Sequence, residues 1–163
     1  MIIDLADVSA MHMIETWSLM IKEAHVQTVA LTSGCFDLTH VYHFKYFQRC
    51  KRECDILMVG VDSDKLVRSV KGPTRPIFNE LQRIMMVDWC KFVDFTFIMN
   101  SLEDWDRMAT ITRPNKIFKN DVFESGCNNP TGAELVIIPD IEELTSTTAF
   151  IKRIMESGIE SSS

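Results

Sequence analysis

The chain has 163 residues, 46% hydrophobic and 25% charged, with a net charge of −6 and an isoelectric point near 5.2, which suits one domain able to bury a core without disulfides or a structural metal. The acidic balance argues against broad binding to nucleic acid, and no apolar run is long enough to span a membrane. The opening Met1-Ile2-Ile3-Asp4 lacks a secretory signal pattern, and Cys35, Cys50, Cys54, Cys90 and Cys127 are scattered and odd in number, as expected of reduced thiols in a cytoplasmic protein.

Leu5, Val8, Met11, Ile14, Trp17 and Ile21 recur at helical spacing behind a candidate cap, Asp4, and predict an amphipathic helix over 5–24. Thr28 to Thr32 is a short, β-branched, apolar strand that ends at Ser33-Gly34, where the backbone is free to turn. Ile56 to Val61 and Phe95 to Ile98 predict two more strands. Between them lies a helix over 79–91, capped by Asn79, with Leu81, Ile84, Met85, Val87 and Trp89 as its apolar positions. Leu102 to Thr110 predicts a helix, Lys116 to Lys119 a strand, and Leu135 to Ile138 the last strand. Ser125 to Gly132, rich in Asn, Gly and Pro, is a surface loop. A final helix starts near Ser146-Thr147-Thr148 with Phe150, Ile151, Ile154 and Met155 on one face, and a flexible tail covers 156–163. Alternating strands and helices predict an α/β fold: a Rossmann-like open parallel sheet of about five strands with helices on both faces, in a single domain over 1–163.

Such sheets bind ligands beyond the carboxyl ends of their strands. After the first strand the chain reads Ser33-Gly34-Cys35-Phe36-Asp37-Leu38-Thr39-His40-Val41-Tyr42-His43. His40 and His43, three apart at the opening of a helix, share one face and address the same ligand. The free N–H groups and dipole of that helix end favour an anion. Together they predict a phosphate site. Cys50 and Cys54, at i and i+4, are expected to be packing residues rather than metal ligands.

Gly34-Cys35-Phe36-Asp37-Leu38-Thr39-His40 followed by His43 resembles the GCFDxxHxGH signature of the cytidylyltransferase-like nucleotidyltransferases. Within that group the chain is most similar to the adenylyltransferase domain of bacterial heptose-phosphate enzymes, with glycerol-phosphate cytidylyltransferases as near cousins. Val61-Asp62-Ser63-Asp64, Lys71-Gly72-Pro73-Thr74-Arg75-Pro76, Asn79-Glu80-Leu81-Gln82-Arg83, Val93-Asp94 and Thr145-Ser146-Thr147-Thr148 resemble the family's later landmarks in their expected order. Five ordered landmarks are harder to reach by chance than one short motif.

The resemblance implies transfer of AMP or CMP from ATP or CTP to a phosphorylated sugar or polyol, with release of pyrophosphate. It implies that His40 and His43 hold phosphate oxygens and that Lys71 neutralises charge near the acceptor phosphate or leaving group. Ser33, Gly34, Cys35 and Phe36 would cradle the nucleotide. Asp37 would organise the loop or a Mg²⁺ ion through water, and Tyr42, Asp62, Arg83 and Lys119 would line the nucleotide site. Ser146, Thr147 and Thr148 would grip the outer phosphates. Mg²⁺ would arrive mainly with the triphosphate, with no dedicated protein cage, and a homodimer is compatible with the family.

Three departures stand out. Tyr42 replaces the Gly between the two histidines, where a ring fills space or stacks on a base. Glu142-Glu143-Leu144 precedes Thr145 where relatives often carry Gly, and Lys119-Asn120-Asp121 matches the family's Lys-Gly-x-Asp only loosely. The alternative reading is therefore a catalytically silent nucleotide- or phosphate-binding module that serves a protein partner, with Tyr42 blocking turnover. A relative acting on a coenzyme precursor is a third possibility, disfavoured by the extended GCFD and KGxxRP-like stretches.

Overall fold

A computed structural model describes residues 1–23, 28–120, 128–139 and 147–160. In chain order its elements are β1 (Ile2–Ile3), α1 (Val8–Glu23), β2 (Val29–Gly34), α2 (Val41–Lys51), β3 (Ile56–Asp62) and α3 (Asp64–Lys71). They continue with α4 (Glu80–Asp88), β4 (Phe95–Met99), α5 (Leu102–Thr112), β5 (Lys116–Asn120), β6 (Glu134–Ile138) and α6 (Thr147–Glu160). The strands form one six-stranded sheet in the order β1-β4-β3-β2-β5-β6. Every pairing is parallel, which makes this the Rossmann-like α/β architecture expected from the alternating pattern. No helix among the described residues is long and apolar enough to cross a membrane.

Strand parity divides the core. Val29 and Leu31 of β2, Met58 of β3, Phe97 and Met99 of β4 and Ile117 of β5 pack with Met11 and Ile14 of α1 and Trp105, Met108 and Ala109 of α5. On the other face Ala30, Leu57, Val59, Val61 and Phe118 pack with Phe47 and Cys50 of α2 and Ile84 and Val87 of α4. Alternate residues of one strand therefore serve opposite layers. The four described cysteines, Cys35, Cys50, Cys54 and Cys90, are free and buried, and Cys54 donates its S–H to the Cys50 carbonyl, in line with packing roles.

The sheet has one strand more than expected. Ile2 and Ile3 pair with Thr96 and Phe97 at the edge of β4, a strand too short to leave an alternating pattern. This delays the first helix to Val8: Asp4 instead accepts the Ala6 N–H, and Asp7 accepts the Ser9 N–H at 2.8 Å in the manner of a cap. Helix α4 begins at the Asn79 cap as expected, with a reciprocal Asn79–Gln82 capping box, but ends at Asp88 rather than 91. Leu81, Met85 and Trp89 are 66%, 41% and 71% exposed, so its apolar set extends past the buried stripe. Helix α6 continues to Glu160 instead of fraying at 156.

Gly60 leaves room for the β4 side chains beside it. A Cβ there would lie 2.5 Å from the Met99 Sδ and 3.0 Å from the Phe97 ring. Gly60→Ala is expected to destabilise the fold by about 1–3 kcal/mol through overpacking, read as a lower midpoint in urea denaturation with an unchanged slope.

Candidate active site

The loop after β2 is held in an uncommon conformation. Phe36 and Leu38 both have φ of 48°, which costs a non-glycine residue on the order of 1–3 kcal/mol unless its surroundings hold it there. Asp37, between them and 2% exposed, supplies that restraint. Its Oδ2 accepts from the Arg75 Nε at 2.8 Å and the Ile77 N–H at 2.9 Å, and its Oδ1 accepts from the Phe78 N–H at 3.0 Å. Burial alone would raise the Asp37 pKa, but the two backbone donors and the Arg75 charge outweigh it and hold the carboxyl below its ordinary range. Of the two roles the resemblance implied for Asp37, its carboxylate thus performs loop organisation. Thr39 closes the turn by donating to the Phe36 carbonyl, and Gly34 lets the Phe36 ring lie back, since a Cβ there would meet its Cζ at 3.1 Å.

That loop delivers His40 as the N-cap of α2. The His40 Nδ1 accepts the Tyr42 N–H at 3.3 Å, and the His43 Nδ1 accepts the His40 N–H at 3.2 Å. The two imidazoles form a reciprocal capping box, with histidines in the places usually held by Ser or Thr and Glu. An accepting Nδ1 carries no proton, so each ring has its hydrogen on Nε2. Burial lowers the pKa of both rings, His43 to about 4 with help from the charges of His40 and Lys71. The pair are thus neutral donors at pH 7. The His40 and His43 ring centroids are 4.3 Å apart, and Phe36 supports His43 edge-on at 5.5 Å.

Arg83 of α4 is wholly buried. Its Nε donates to the Phe78 carbonyl at 2.9 Å, Nη1 to the Cys35 carbonyl at 2.7 Å, and Nη2 to the Asp64 Oδ1 at 2.8 Å. The contact with nucleotide or phosphates implied by the resemblance needs accessible surface that Arg83 lacks. It is instead a positioning residue joining the loops after β2 and β3 to the start of α4. Glu80 accepts the Asp64 N–H at 2.8 Å. Asp64 accepts from Arg83, and Arg75, bound to Asp37, is likewise structural; a KGxxRP-like stretch did not reveal either partner.

Lys71 ends α3 before Gly72, whose φ of 90° turns the chain away. Lys71 is exposed; its charge adds to the burial that lowers the His43 pKa and opposes the burial that raises the Asp62 pKa. Cys35 is buried and its thiol pKa is pushed up by that burial, so its contribution is the backbone that Arg83 grips. Tyr42 stands edge-on to His40 with centroids 5.8 Å apart. Across the β2–β5 boundary, Lys119 donates to the Ser33 Oγ at 2.9 Å and lies 4.9 Å above the Trp105 ring. Trp105 on α5 had no local motif to mark it. Thr147 and Thr148 open α6, and Phe150 in that first turn lies 5.2 Å from His40, ring to ring. Ser146 lies outside the described residues.

A parallel sheet with an anion-receptive helix terminus and paired imidazole donors beyond its central strands defines a nucleotide- or phosphate-binding α/β domain. Residues 31–127 match the family model described as cytidylyltransferase-like, and the chain belongs to that family. Among curated relatives, the bifunctional protein HldE of Campylobacter jejuni strain RM1221 is 34% identical over 143 residues, covering 85% of this chain and 30% of that protein. The protein of the same name from Syntrophotalea carbinolica is 30% identical over 148 residues, covering 85% of this chain and 29% of its own length. The chain thus spans about 30% of the length of these relatives. The solved lipopolysaccharide core biosynthesis protein of Thermoplasma volcanium GSS1 shares the fold with a TM-score of 0.56 and 23% identity, covering 70% of this chain and 96% of that one. The pantoate-beta-alanine ligase of Francisella tularensis does so at 0.52 and 15%, covering 90% and 75%.

Arg83→Met is expected to cost about 3–5 kcal/mol of stability, because it strands a carboxylate and two carbonyls; thermal and urea unfolding check this. Imidazole NMR of His43 should show the Nε2–H tautomer and a midpoint near 4. The unfolded ring, with its ordinary pKa of 6.5, binds more protons between pH 6.5 and about 4. Stability from this residue is therefore complete above pH 6.5 and lost as the pH falls through that window.

Proposed function

We propose that this domain transfers a nucleotidyl group, AMP or CMP, from ATP or CTP to a phosphorylated sugar or polyol and releases pyrophosphate. The observation that carries the reading is the histidine capping box. It fixes both rings as neutral Nε2–H donors at a helix N-terminus behind the Asp37-locked loop. Membership of a cytidylyltransferase-like family supports the reaction class, and the similarity to HldE, together with the motif likeness to heptose-phosphate adenylyltransferase domains, favours a sugar phosphate and ATP. The silent-module alternative gains no support from these relatives.

In the proposed reaction a phosphate oxygen of the acceptor attacks the α-phosphorus in line. The bond from that phosphorus to the bridging oxygen of the β-phosphate breaks, and pyrophosphate departs with the bond's electrons. Negative charge gathers on oxygens around the α-phosphorus and on the leaving group, so fixed donors do most of the work. The His40 and His43 Nε2–H groups donate to α- and β-phosphate oxygens, while Lys71 offsets charge on the acceptor phosphate or the leaving pyrophosphate. The α2 N-terminus and the backbone of Ser33 to Phe36 cradle the nucleotide, with Thr147 and Thr148 at the start of α6 beside the outer phosphates. Tyr42 takes the place of a backbone contact and stacks on the nucleoside. The Asp37 carboxylate is committed to protein donors, and among the described residues no three His, Cys, Asp or Glu form a metal-holding group. Mg²⁺ in this proposal travels with the triphosphate, and no step depends on a protein-held ion. A homodimer is also part of the proposal, supported by the exposed stripe of Leu81, Met85 and Trp89.

Pyrophosphate release measured with Mg²⁺, each of ATP, CTP, GTP and UTP, and a panel of heptose-, hexose- and glycerol-phosphates tests the reading. Acceptor-dependent release is expected, falling about 10²–10³-fold in His43→Ala, as for loss of one preorganised donor. Nucleotide binding with no release for any pair, followed by activity in Tyr42→Gly, would overturn it in favour of a blocked site.

A further inference from the structure

The carboxyl edge of the sheet carries a second polar group on the face opposite the histidine helix. Leu31 of β2, Met58 of β3 and Ile117 of β5 face α1 and α5, so by strand parity Ser33, Asp62 and Lys119 do too. The three strands are neighbours in the order β3-β2-β5, which sets carboxylate, hydroxyl and ammonium in one row. The row is held at one end: Lys119 donates to the Ser33 Oγ at 2.9 Å and rests on the Trp105 ring. Because Ser33 accepts that bond, its O–H is left as a donor.

Asp62 is the unexplained member. Asp37, Asp64 and Asp94 each accept hydrogen bonds from protein groups. The half-buried Asp62 carboxylate accepts none from any described residue, and burial raises its pKa despite the charges of Lys119, Arg83 and Lys71 nearby. Among the described residues no enclosed polar side-chain atom lacks a partner, so the Asp62 oxygens open to the crevice, where a ligand donor can replace water. The chemistry of the missing partner follows from the neighbours. Lys119 already supplies an ammonium to the row, and no metal-holding group of three includes Asp62 among the described residues. What remains is a neutral donor. A carboxylate beside a free hydroxyl donor and a lysine matches a vicinal diol, whose O–H groups donate to the acid and whose oxygens accept from Ser33 and Lys119.

We infer that Asp62, with Ser33 and Lys119, forms a subsite for a vicinal diol at the carboxyl edge of β3, β2 and β5, and that Asp62 determines specificity for hydroxylated substrate. The diol belongs either to the ribose of the nucleotide or to the body of the acceptor. Only the naming of those two sources rests on the proposed transfer reaction.

The test is direct binding, so it holds even if no turnover is found. Wild-type protein, Asp62→Asn and Asp62→Ala are titrated calorimetrically with ATP and CTP, with their 2′,3′-dideoxy counterparts, and with heptose- and glycerol-phosphates and their deoxy analogues. Circular dichroism and thermal unfolding verify that each variant is folded. The expected result is a loss of roughly tenfold or more for the hydroxylated ligand in Asp62→Ala, with little change for its deoxy analogue. If the affected ligand is the nucleoside triphosphate, the diol is the ribose; if it is the sugar or glycerol phosphate, the diol is the acceptor's. An equal effect on hydroxylated and deoxy ligands, or a change below about twofold for all of them, overturns the inference. Absence of pyrophosphate release alongside a diol-selective loss would sink the transferase reading and leave the subsite standing.

Discussion

The site depends on one buried guanidinium. Arg83 gives three donors to three stretches of chain that are distant in sequence: Cys35 after β2, Asp64 after β3 and Phe78 before α4. Desolvating an arginine is expensive, and the expense is offset only where its donors find well-placed acceptors and a carboxylate. Those conditions are met at a single relative placement of the loops. Asp37 extends the same logic with the opposite charge, gripping residues 75, 77 and 78 from below the turn that carries Phe36 and Leu38. The backbone that introduces the histidines is thus fixed before any ligand arrives.

The histidines themselves combine two functions in one pair of rings. Each spends its Nδ1 on the backbone of the helix it opens, and this leaves Nε2–H as the donor. A charged imidazole would attract phosphate more strongly, but it would have to give up its capping bond to do so. A neutral pair keeps the helix end intact and leaves the positive potential to Lys71 and the helix terminus. In the proposed reaction, phosphate is therefore recognised by directed hydrogen bonds more than by net charge.

Much of this was legible in the chain. The apolar strand behind Ser33-Gly34 and the spacing of His40 and His43 point to a turn and a helix start that the structure forms at those residues. The Asn79 cap also appears where local chemistry put it. Where the reading failed, the cause is tertiary. The edge strand at Ile2–Ile3 is too short for a periodic signal and exists because β4 offers an open edge. Arg83, placed beside the nucleotide by family likeness, proves to be fully enclosed, a fact about burial that no short motif contains. Trp105 lies beneath Lys119 because α5 crosses that face of the sheet, and its own neighbours in sequence do not hint at it. Leu81, Met85 and Trp89 fit a helical repeat yet face outward, since α4 meets the sheet along a stripe narrower than its apolar positions.

The alternation of side chains along β2, β3 and β5 separates the histidine helix from the row at positions 33, 62 and 119. Their side chains rest on different packing layers, while the charge of Lys71 acts on both His43 and Asp62. Residues of the row can be exchanged in combination, as a small library, while Phe47, Ile84 and the other side chains beneath α2 and α4 keep their contacts. A sheet that is only one residue thick therefore works as a partition between two sets of side-chain contacts, one beneath α2 and α4 and one beneath α1 and α5.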